Sequence, residues 1–353
     1  MSKEFIKGNE AIAEAAVRAG CRFFAGYPIT PQNDIPEYLS KRLFEVGGNF
    51  IQGESEVASV NMVFGVAATG IRSMTSSSGP GLALKAEGIS NLAGARVPSV
   101  VVNVARGGPA IGTILTAQQD YLSATKAPAP GGFKCFVLAP ATVQEAADLV
   151  YEAFDIADKY RTPVYVLADG MTGNMMEVVE LPPMRELSEL PSKDDWRVNK
   201  LEQDGNFRSI SSYSPTAEGL QEMNEASEAM YQQWDKEEQR WEAFMMDDAE
   251  YVVTGYGSSG RIAKSAVKEL RAQGIKAGLI RPITLVPFPK DAFDQIDYGR
   301  IKEIFVAEMS IPAQYADDVR WATKSKLEII SVLTSGGVIL ETEAIVDAVK
   351  ERV

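Results

Sequence analysis

Short apolar runs alternate with helical patterns along the first 170 residues of the chain. Between these runs, apolar and small residues recur at the three- and four-residue spacing of helices. The run at 97–105 is apolar and largely β-branched, which is typical of a parallel strand buried on both faces. This alternation predicts a mostly parallel sheet with helices on both faces. The predicted strands are 21–25, 49–52, 73–77, 97–105, 133–138 and 163–168.

The pattern changes after residue 180 and returns near residue 250. Residues 180–215 are rich in proline, serine and acids, which indicates an irregular, exposed connection. Residues 216–246 have helical spacing, with one apolar stripe that we interpret as packing on a domain surface. The stripe consists of Leu220, Met223, Met230 and Trp234. The chain is therefore predicted to be an α/β protein with two doubly wound, mostly parallel sheets: residues 1–180, an acidic linker at 181–247, and residues 248–353.

The composition of the chain limits which partners and which catalytic groups it can use. The chain has 353 residues, a net charge of -13, two cysteines and no histidine. The negative charge argues against nucleic acid as a partner. Without histidine, catalysis must use carboxylates, lysine, tyrosine, a cofactor or another chain. The lone Cys21 and Cys135 offer neither a disulfide framework nor a cluster site, and the first residues form an amphipathic pattern rather than a signal peptide, so we expect a cytoplasmic protein.

Two polar residues follow two of the predicted strands in unusual settings. Thr30 stands between two prolines in Tyr27-Pro28-Ile29-Thr30-Pro31, which suits a rigidly presented hydroxyl. Glu56 follows Ser55 at the start of a helix rich in small residues. Taken alone, this pair predicts a helix cap and an acid that complements the helix dipole. At the carboxyl end of a parallel strand, it also predicts a ligand site.

Two further features follow the next two strands. Residues 76–81 form the hydroxyl-rich loop Ser-Ser-Ser-Gly-Pro-Gly, whose free N–H groups and hydroxyls suit a polar ligand. Arg106 ends the buried run 97–105, where it is either a surface arginine or a clamp for a carboxylate. The four features lie on consecutive β–α units. We therefore expect Thr30, Glu56, the loop and Arg106 to face the same edge of one sheet.

Together these motifs resemble those of a known family. The segments YPITP, ESEVAS, TSSSGPG and VNVARGG are similar to those of the alpha-type chain of 2-oxoacid:ferredoxin oxidoreductases. The likeness is strongest to the branched-chain (2-oxoisovalerate) or 2-oxoglutarate type. It implies a pyrimidine-binding domain of the thiamine diphosphate superfamily, followed by a transketolase C-terminal-like domain that contains RPITLVPFP.

The resemblance assigns roles to individual residues. It implies that thiamine diphosphate binds between this chain and a partner, and that Glu56 hydrogen-bonds the aminopyrimidine ring to activate the cofactor. Thr30 and Arg106 match positions that hold the carboxylate and oxo group of the substrate. The predicted cofactor contacts are Glu56, Pro28, Ile29, Ser77, Ser78 and Gly79. The implied reaction is oxidative decarboxylation of a 2-oxoacid to an acyl-CoA, with coenzyme A as co-substrate and electrons passed to ferredoxin.

The resemblance also implies partner subunits, because this chain lacks the diphosphate–metal motif and the cluster ligands that the reaction needs. The diphosphate–metal motif of the superfamily has its nearest match at Ala168-Asp169-Gly170, where Asn174 follows too closely. A beta-type subunit is therefore expected to carry the Mg²⁺–diphosphate site and an iron–sulfur cluster, with gamma and ferredoxin-like delta subunits in a dimer of heteromers. Residues 127–132 depart from the family, which has a histidine-containing segment there.

Alternatives remain open at this stage. The substrate is a branched-chain 2-oxoacid, 2-oxoglutarate or pyruvate. Residues 255–260 match the dinucleotide pattern GxGxxG, which would suit a nicotinamide-dependent dehydrogenase. The acid expected on the next strand is missing, however, so the loop is also interpretable as a tight strand-to-helix turn that binds no ligand. A third possibility is a scaffold subunit whose pyrimidine site has decayed.

Overall fold

The structure, a computed structural model, describes residues 3–198 and 207–353. Its strands are β1 (Lys3–Lys7), β2 (Phe23–Gly26), β3 (Asn49–Gln52), β4 (Ser73–Ser77), β5 (Ser99–Ala105), β6 (Phe136–Leu138), β7 (Pro163–Asp169), β8 (Met176–Glu180), β9 (Trp241–Phe244), β10 (Tyr251–Thr254), β11 (Ala277–Pro282), β12 (Thr284–Val286), β13 (Glu303–Glu308) and β14 (Glu328–Leu333). Its helices are α1 (Gly8–Arg18), α2 (Asp34–Glu45), α3 (Glu56–Ala68), α4 (Gly79–Gly94), α5 (Tyr121–Thr125), α6 (Val143–Tyr160), α7 (Gly170–Asn174), α8 (Ala217–Glu237), α9 (Gly257–Ala272), α10 (Lys290–Asp294), α11 (Tyr315–Thr323) and α12 (Thr342–Lys350).

Two mostly parallel sheets dominate the fold, which confirms the predicted class. The first has seven strands in the order β12-β6-β7-β5-β4-β2-β3, and only β12 runs antiparallel. Its central strands β5 and β7 are buried along their whole length, as a continuous apolar run predicts. The second has five strands in the order β14-β13-β10-β11-β9, with β9 antiparallel at one edge.

The two sheets are held together by polar contacts as well as by apolar packing. Arg281 at the end of β11 donates two hydrogen bonds to Glu145 of α6, at 3.0 and 2.6 Å, and a third to Glu242 of β9. Strand β12 follows β11 directly and pairs with β6 of the first sheet. Residues on either side of Ile283 therefore belong to different sheets.

Four strands were absent from the sequence prediction. β1 and β8 form an antiparallel two-stranded sheet of their own. β12 and β9 are short edge strands, and β9 lies within the segment predicted as a linker. The linker helix α8 also differs from its predicted stripe: Leu220 is exposed, whereas Trp234 is buried against Phe136 and Tyr160. Among the helices of the described residues, none is long and apolar enough to cross a membrane.

Candidate active site

The four predicted features do meet at one edge of the first sheet. Strands β5, β4, β2 and β3 are neighbours in that order, and all four are parallel. Arg106, the 76–81 loop, Thr30 and Glu56 follow their carboxyl ends. The edge therefore carries a row of polar groups that come from segments far apart in the sequence, at the position where open α/β sheets bind ligands.

Glu56 is the first residue of α3, and its side chain is turned inward. Ser55 caps the helix, with its hydroxyl accepting a hydrogen bond of 3.1 Å from the N–H of Ala58. Although it is only 6% exposed, the Glu56 carboxylate accepts no hydrogen bond from the described residues. A buried carboxylate of this kind is costly unless a ligand or another chain supplies a donor. The predicted cap at Ser55 is therefore confirmed, and the inward-facing carboxylate of Glu56 is a candidate for ligand binding.

The 76–81 loop contributes hydroxyls that have no partners. The side-chain oxygens of Ser77 and Ser78 are buried and lack a hydrogen-bond partner among the described residues. The Ser76 hydroxyl instead donates to the Gln32 side chain. Beside them, a Cβ atom on Gly81 would lie 2.1 Å from the Ser77 Oγ and 2.8 Å from a Glu56 carboxylate oxygen. Glycine at 81 thus allows the start of α4 to approach both groups.

Arg106 and Thr30 are in direct contact. The Arg106 Nη1 donates to the main-chain oxygen of Thr30 at 2.9 Å, and Nη2 donates to that of Ile111 at 3.1 Å. The arginine is 8% exposed, and its Nε is buried without a partner among the described residues. Of the five N–H donors of a guanidinium, two are used in these bonds. The remaining donors suit a planar anion such as a carboxylate.

Sequence reasoning missed Asp120, which lies against this row. It accepts a hydrogen bond of 2.9 Å from the Asn103 side chain, and Gly79 lies nearby. Burial raises the pKa of the Asp120 carboxyl, while its bonds to Asn103 and to the Gly79 backbone and the charge of Arg106 oppose the shift. The sequence did offer one indication of a site here, because Asn103 is a polar residue within an apolar strand. Its side-chain oxygen has no partner among the described residues.

A cavity of about 890 Å³ opens beside Arg106 and Asp120. One wall is the apolar face of α4, another is the glycine-rich loop, and a third comes from the second half of the chain through Ile311 and Pro312. The segment 127–130, which departs from the family pattern, also lines it. The α4 wall consists of Leu82, Ala83, Ala86 and Ile89.

Pro28 and Ile29 take a different position from the other predicted cofactor contacts. Pro28 is exposed and lines a separate, smaller hollow together with Phe50 and Gln52. The main-chain oxygen of Ile29 accepts a hydrogen bond from the N–H of Gln32 at 3.2 Å, which closes the turn that leads into α2. The structure therefore places Thr30 with Arg106, and Glu56 with Ser77, while Pro28 stands apart.

Side chains of the first domain pack against the 255–260 glycine loop. Residues 257–260 are buried, and the Gln118 side chain donates to the main-chain oxygen of Tyr256 at 2.9 Å. Ser258 donates to Asp169 at 2.7 Å, and Asp169 also caps α7. Burial raises the pKa of the Asp169 carboxyl. The contacts support a packing role for this loop, in agreement with the missing acid on β11.

Two family descriptions cover most of the chain. Residues 14–246 match the thiamine diphosphate-binding domain of pyruvate flavodoxin/ferredoxin oxidoreductase, and residues 249–351 match core domain II of pyruvate:ferredoxin oxidoreductase. Among solved structures, the 2-oxoglutarate:ferredoxin oxidoreductase from Magnetococcus marinus superposes with a TM-score of 0.84 at 25% identity. That likeness covers 99% of this chain and 65% of the Magnetococcus chain. A split-gene transketolase, at 14% identity and a TM-score of 0.60, shares the fold.

Relatives of known sequence agree with these matches. Ketoisovalerate oxidoreductase subunit VorB from Methanothermobacter thermautotrophicus is 42% identical, over 99% of this chain and 98% of the relative. The 2-oxoglutarate synthase subunit KorA from Methanocaldococcus jannaschii is 35% identical, over 99% of this chain and the whole of the relative. Both are named as subunits, which indicates multi-subunit complexes. The chain therefore belongs to the 2-oxoacid:ferredoxin oxidoreductase family, as an alpha-type subunit.

Proposed function

We propose that this chain activates thiamine diphosphate through Glu56 and holds the substrate carboxylate through Arg106 and Thr30. The observation that carries this proposal is the set of buried polar atoms without partners at one sheet edge. The Ser77 and Ser78 hydroxyls and the Arg106 Nε all lack partners among the described residues, and they lie beside the largely buried side chain of Glu56. Each is costly to leave buried and unpaired, so a ligand that satisfies them explains their retention.

The donors and acceptors fit an aminopyrimidine and a carboxylate. Glu56 offers an acceptor to a ring nitrogen, while the serine hydroxyls both donate and accept. Arg106 offers a planar fork for the carboxylate that all 2-oxoacids share. Thiamine diphosphate supplies the carbanion stabilisation that decarboxylation requires. The part of this chain is to orient the cofactor ring, to accept a hydrogen bond from it at Glu56, and to hold the substrate at Arg106.

The substrate that we infer is a branched-chain 2-oxoacid, and 2-oxoisovalerate is the compound to test. The greater identity to the ketoisovalerate relative, 42% against 35% for the 2-oxoglutarate relative, supports this choice. The cavity beside Arg106 supports it too, because its α4 wall is apolar and its acid, Asp120, would repel a second carboxylate. Initial rates of the complex with 2-oxoisovalerate, 2-oxoglutarate, pyruvate and an aryl 2-oxoacid test this inference. A preference for 2-oxoglutarate would contradict it.

We assign the metal–diphosphate site and the electron-transfer clusters to partner subunits. We infer a beta-type subunit that carries the Mg²⁺–diphosphate site and an iron–sulfur cluster, gamma and ferredoxin-like delta subunits, and a dimer of such heteromers. The family resemblance supports this division, as do the two cysteines of the chain, both fully buried and with pKa values raised by burial to about 12. Coenzyme A accepts the acyl group and ferredoxin the electrons.

The test of the whole proposal is Glu56→Gln in the assembled complex. The substitution keeps the shape of the side chain but removes the carboxylate charge. We expect turnover with 2-oxoisovalerate and a dye acceptor to fall on the order of 10²-fold or more, as lost proton-transfer assistance does. Glu54→Gln is the matched control, because Glu54 lies two residues earlier and is exposed. Equal turnover of the Glu56 and Glu54 variants would exclude the proposed role.

A further inference from the structure

Three loops near the candidate site share an unusual composition. Residues 107–119, 309–314 and 334–340 contain no charged residue, although charged residues make up 24% of the chain. The first loop follows β5, the second follows β13 and the third follows β14. All three therefore lie at the carboxyl ends of parallel strands, one in the first sheet and two in the second.

The first loop joins the other two. The N–H of Gln118 donates to the main-chain oxygen of Met309 at 2.9 Å, which ties it to the second loop. A Cβ on Gly337 would lie 2.5 Å from the Leu115 Cβ, so the third loop packs closely on the first. The three loops thus form one surface, which we call the uncharged rim. Its first and second loops line the cavity beside Arg106.

The uncharged rim exposes large apolar side chains. Ile111 is 81% exposed. Its other large apolar members are between 51% and 63% exposed, and they are Ile114, Leu115, Ile311, Val338 and Ile339. Single exposed apolar side chains are normal on a protein surface, but a group of this size without charges between its members is typical of an interaction surface.

Backbone hydrogen bonds fix the first loop in this exposed arrangement. The N–H of Gly107 donates to the main-chain oxygen of Leu115 at 3.0 Å, and the N–H of Thr113 donates to that of Gly107 at 2.8 Å. The Arg106 Nη2 holds the main-chain oxygen of Ile111 at 3.1 Å. A surface that is already ordered loses little conformational freedom when a partner binds, so the rim is prepared for association.

We propose that the uncharged rim is the docking surface for the beta-type subunit, and that the second domain of this chain takes part in the contact through residues 334–340. The inference rests on the proposed function, which assigns the Mg²⁺–diphosphate site to that subunit. A subunit that completes the candidate site must reach the cavity that the rim borders. A second copy of this chain would bring no diphosphate site to it. The centre of a protein interface is depleted of charged residues, as the rim is.

The first experiment identifies the occupant of the rim in the assembled complex. The photoreactive residue benzoylphenylalanine replaces Ile111 or Val338, and after irradiation mass spectrometry identifies the cross-linked subunit. We expect both positions to cross-link to the beta-type subunit. Leu220, an exposed apolar residue of α8, is the control position and should give no cross-link to that subunit. Cross-links from the rim to a second copy of this chain or to another subunit, or no cross-link between subunits, would overturn the proposal.

The second experiment measures the strength of the contact. Ile111→Gln combined with Val338→Gln makes two exposed positions polar, so the chain should still fold, which thermal unfolding checks. We expect the concentration at which this chain and the beta-type subunit separate on dilution to rise about 10-fold or more, as followed by sedimentation velocity. Leu220→Gln is the matched control and should leave that concentration unchanged. A double variant that separates at the wild-type concentration would contradict the proposal.

Glu56→Gln separates this proposal from the function on which it rests. That variant should assemble like wild type and lose turnover, because Glu56 is buried in the site and does not belong to the rim. If it does so while the double variant of the rim stays assembled, the docking proposal fails and the proposed function stands. If both rim positions cross-link to the beta-type subunit while Glu56→Gln keeps full turnover, the proposed function fails and the docking surface stands.

Discussion

Arg106 has one structural role and one proposed role. Two of its hydrogen bonds hold the main-chain oxygens of Thr30 and Ile111, and its remaining donors suit the proposed substrate carboxylate. Lysine would keep the charge but lose the planar fork, so the two roles could not be filled together. From the sequence, Arg106 was either a surface arginine or a carboxylate clamp, and its burial at the end of β5 argues against the first.

Arg106→Lys should therefore act mainly on substrate affinity. We expect the KM for the 2-oxoacid to rise about 10-fold, equivalent to about 1.4 kcal/mol, with a smaller change in kcat. Steady-state kinetics of the assembled complex give both constants. Arg320→Lys is the control, because Arg320 is partly exposed and its side chain pairs with the exposed Asp317. An unchanged KM in the Arg106 variant would remove the carboxylate role.

Lys85, a buried lysine of α4, predicts an unusual pH dependence of stability. Its pKa is about 8 in the folded chain and near 10.5 when unfolded, so between these values the unfolded chain binds more protons. The free energy of unfolding should therefore rise with pH from about 8 to 10.5, by about 3 kcal/mol from this group. Lys85→Met should remove that rise and unfold at a higher temperature than wild type at pH 7.

Calorimetric unfolding across pH 7–10.5 measures both effects. The expected result is a variant that is more stable than wild type at pH 7 and lacks the rise in stability above pH 8. A purely structural lysine would give the opposite result, since its removal would lower the unfolding temperature at every pH.

At the scale of elements, the approach of α3 and α4 depends on glycine. Gly81→Ala would push its Cβ into Ser77 and Glu56, since both lie closer than 3.0 Å to the position that this atom would take. We expect the variant to lose cofactor affinity by at least 10-fold while it still assembles. Gly65→Ala in α3 is a matched control, because a Cβ there meets nothing within 4 Å. In the helix interior that change should stabilise the chain by up to about 1 kcal/mol.

Calorimetry with thiamine diphosphate and thermal unfolding of both variants test this prediction. Equal cofactor affinity of Gly81→Ala and wild type would indicate that Glu56 can move without penalty, and so would contradict the proposed geometry. A loss of affinity in Gly65→Ala would show that any added methyl disturbs these helices.

The elements that the sequence predicted well are those with strong periodicity. The buried runs of β5 and β7 were found because most of their residues are apolar or β-branched. The four polar features were placed together because the carboxyl ends of parallel strands share one edge. Strands β1, β8, β9 and β12 were missed because they have three to five residues each and lie at sheet edges, where tertiary contacts outweigh local preference.

The site was predicted in part, for a similar reason. Glu56, Thr30 and Arg106 have local signals at strand ends. Asp120 precedes a short helix and so resembles a cap, although its side chain forms no capping bond and reaches Asn103 instead. Lys85 sits in a helix among small residues, where a lone lysine predicts a solvent-facing side chain. Only the packing of α3 on α4 reveals that it is enclosed.

At the scale of the whole molecule, Gln118 joins the two domains. Its side chain donates to the oxygen of Tyr256 and accepts from Ser259 at 2.5 Å and from the N–H of Met309 at 3.1 Å. Gln118→Ala would leave two buried groups, the Ser259 hydroxyl and the Met309 N–H, without these partners, while the Tyr256 oxygen would keep its bond from the Gly260 N–H. We expect the free energy of unfolding to fall by about 1–3 kcal/mol.

Thermal and denaturant unfolding measure this loss, and Gln233→Ala serves as the control. Gln233 is exposed on α8, so its removal should change stability by less than about 0.5 kcal/mol. If the two variants unfold alike, the polar contacts of Gln118 do not contribute to the association of the domains.

The position of strand β12 restricts how these domains can be exchanged in chimaeric proteins. Because Thr284–Val286 completes the edge of the first sheet, a chain truncated before residue 248 would expose the backbone of β6. Unpaired strand edges recruit other chains, so such a fragment should precipitate, whereas one supplied with a covalently tethered 283–288 peptide should remain dispersed. The first sheet is thus built from two separate stretches of the sequence. A chimaera should therefore take residues 283–288 from the same parent as the rest of that sheet.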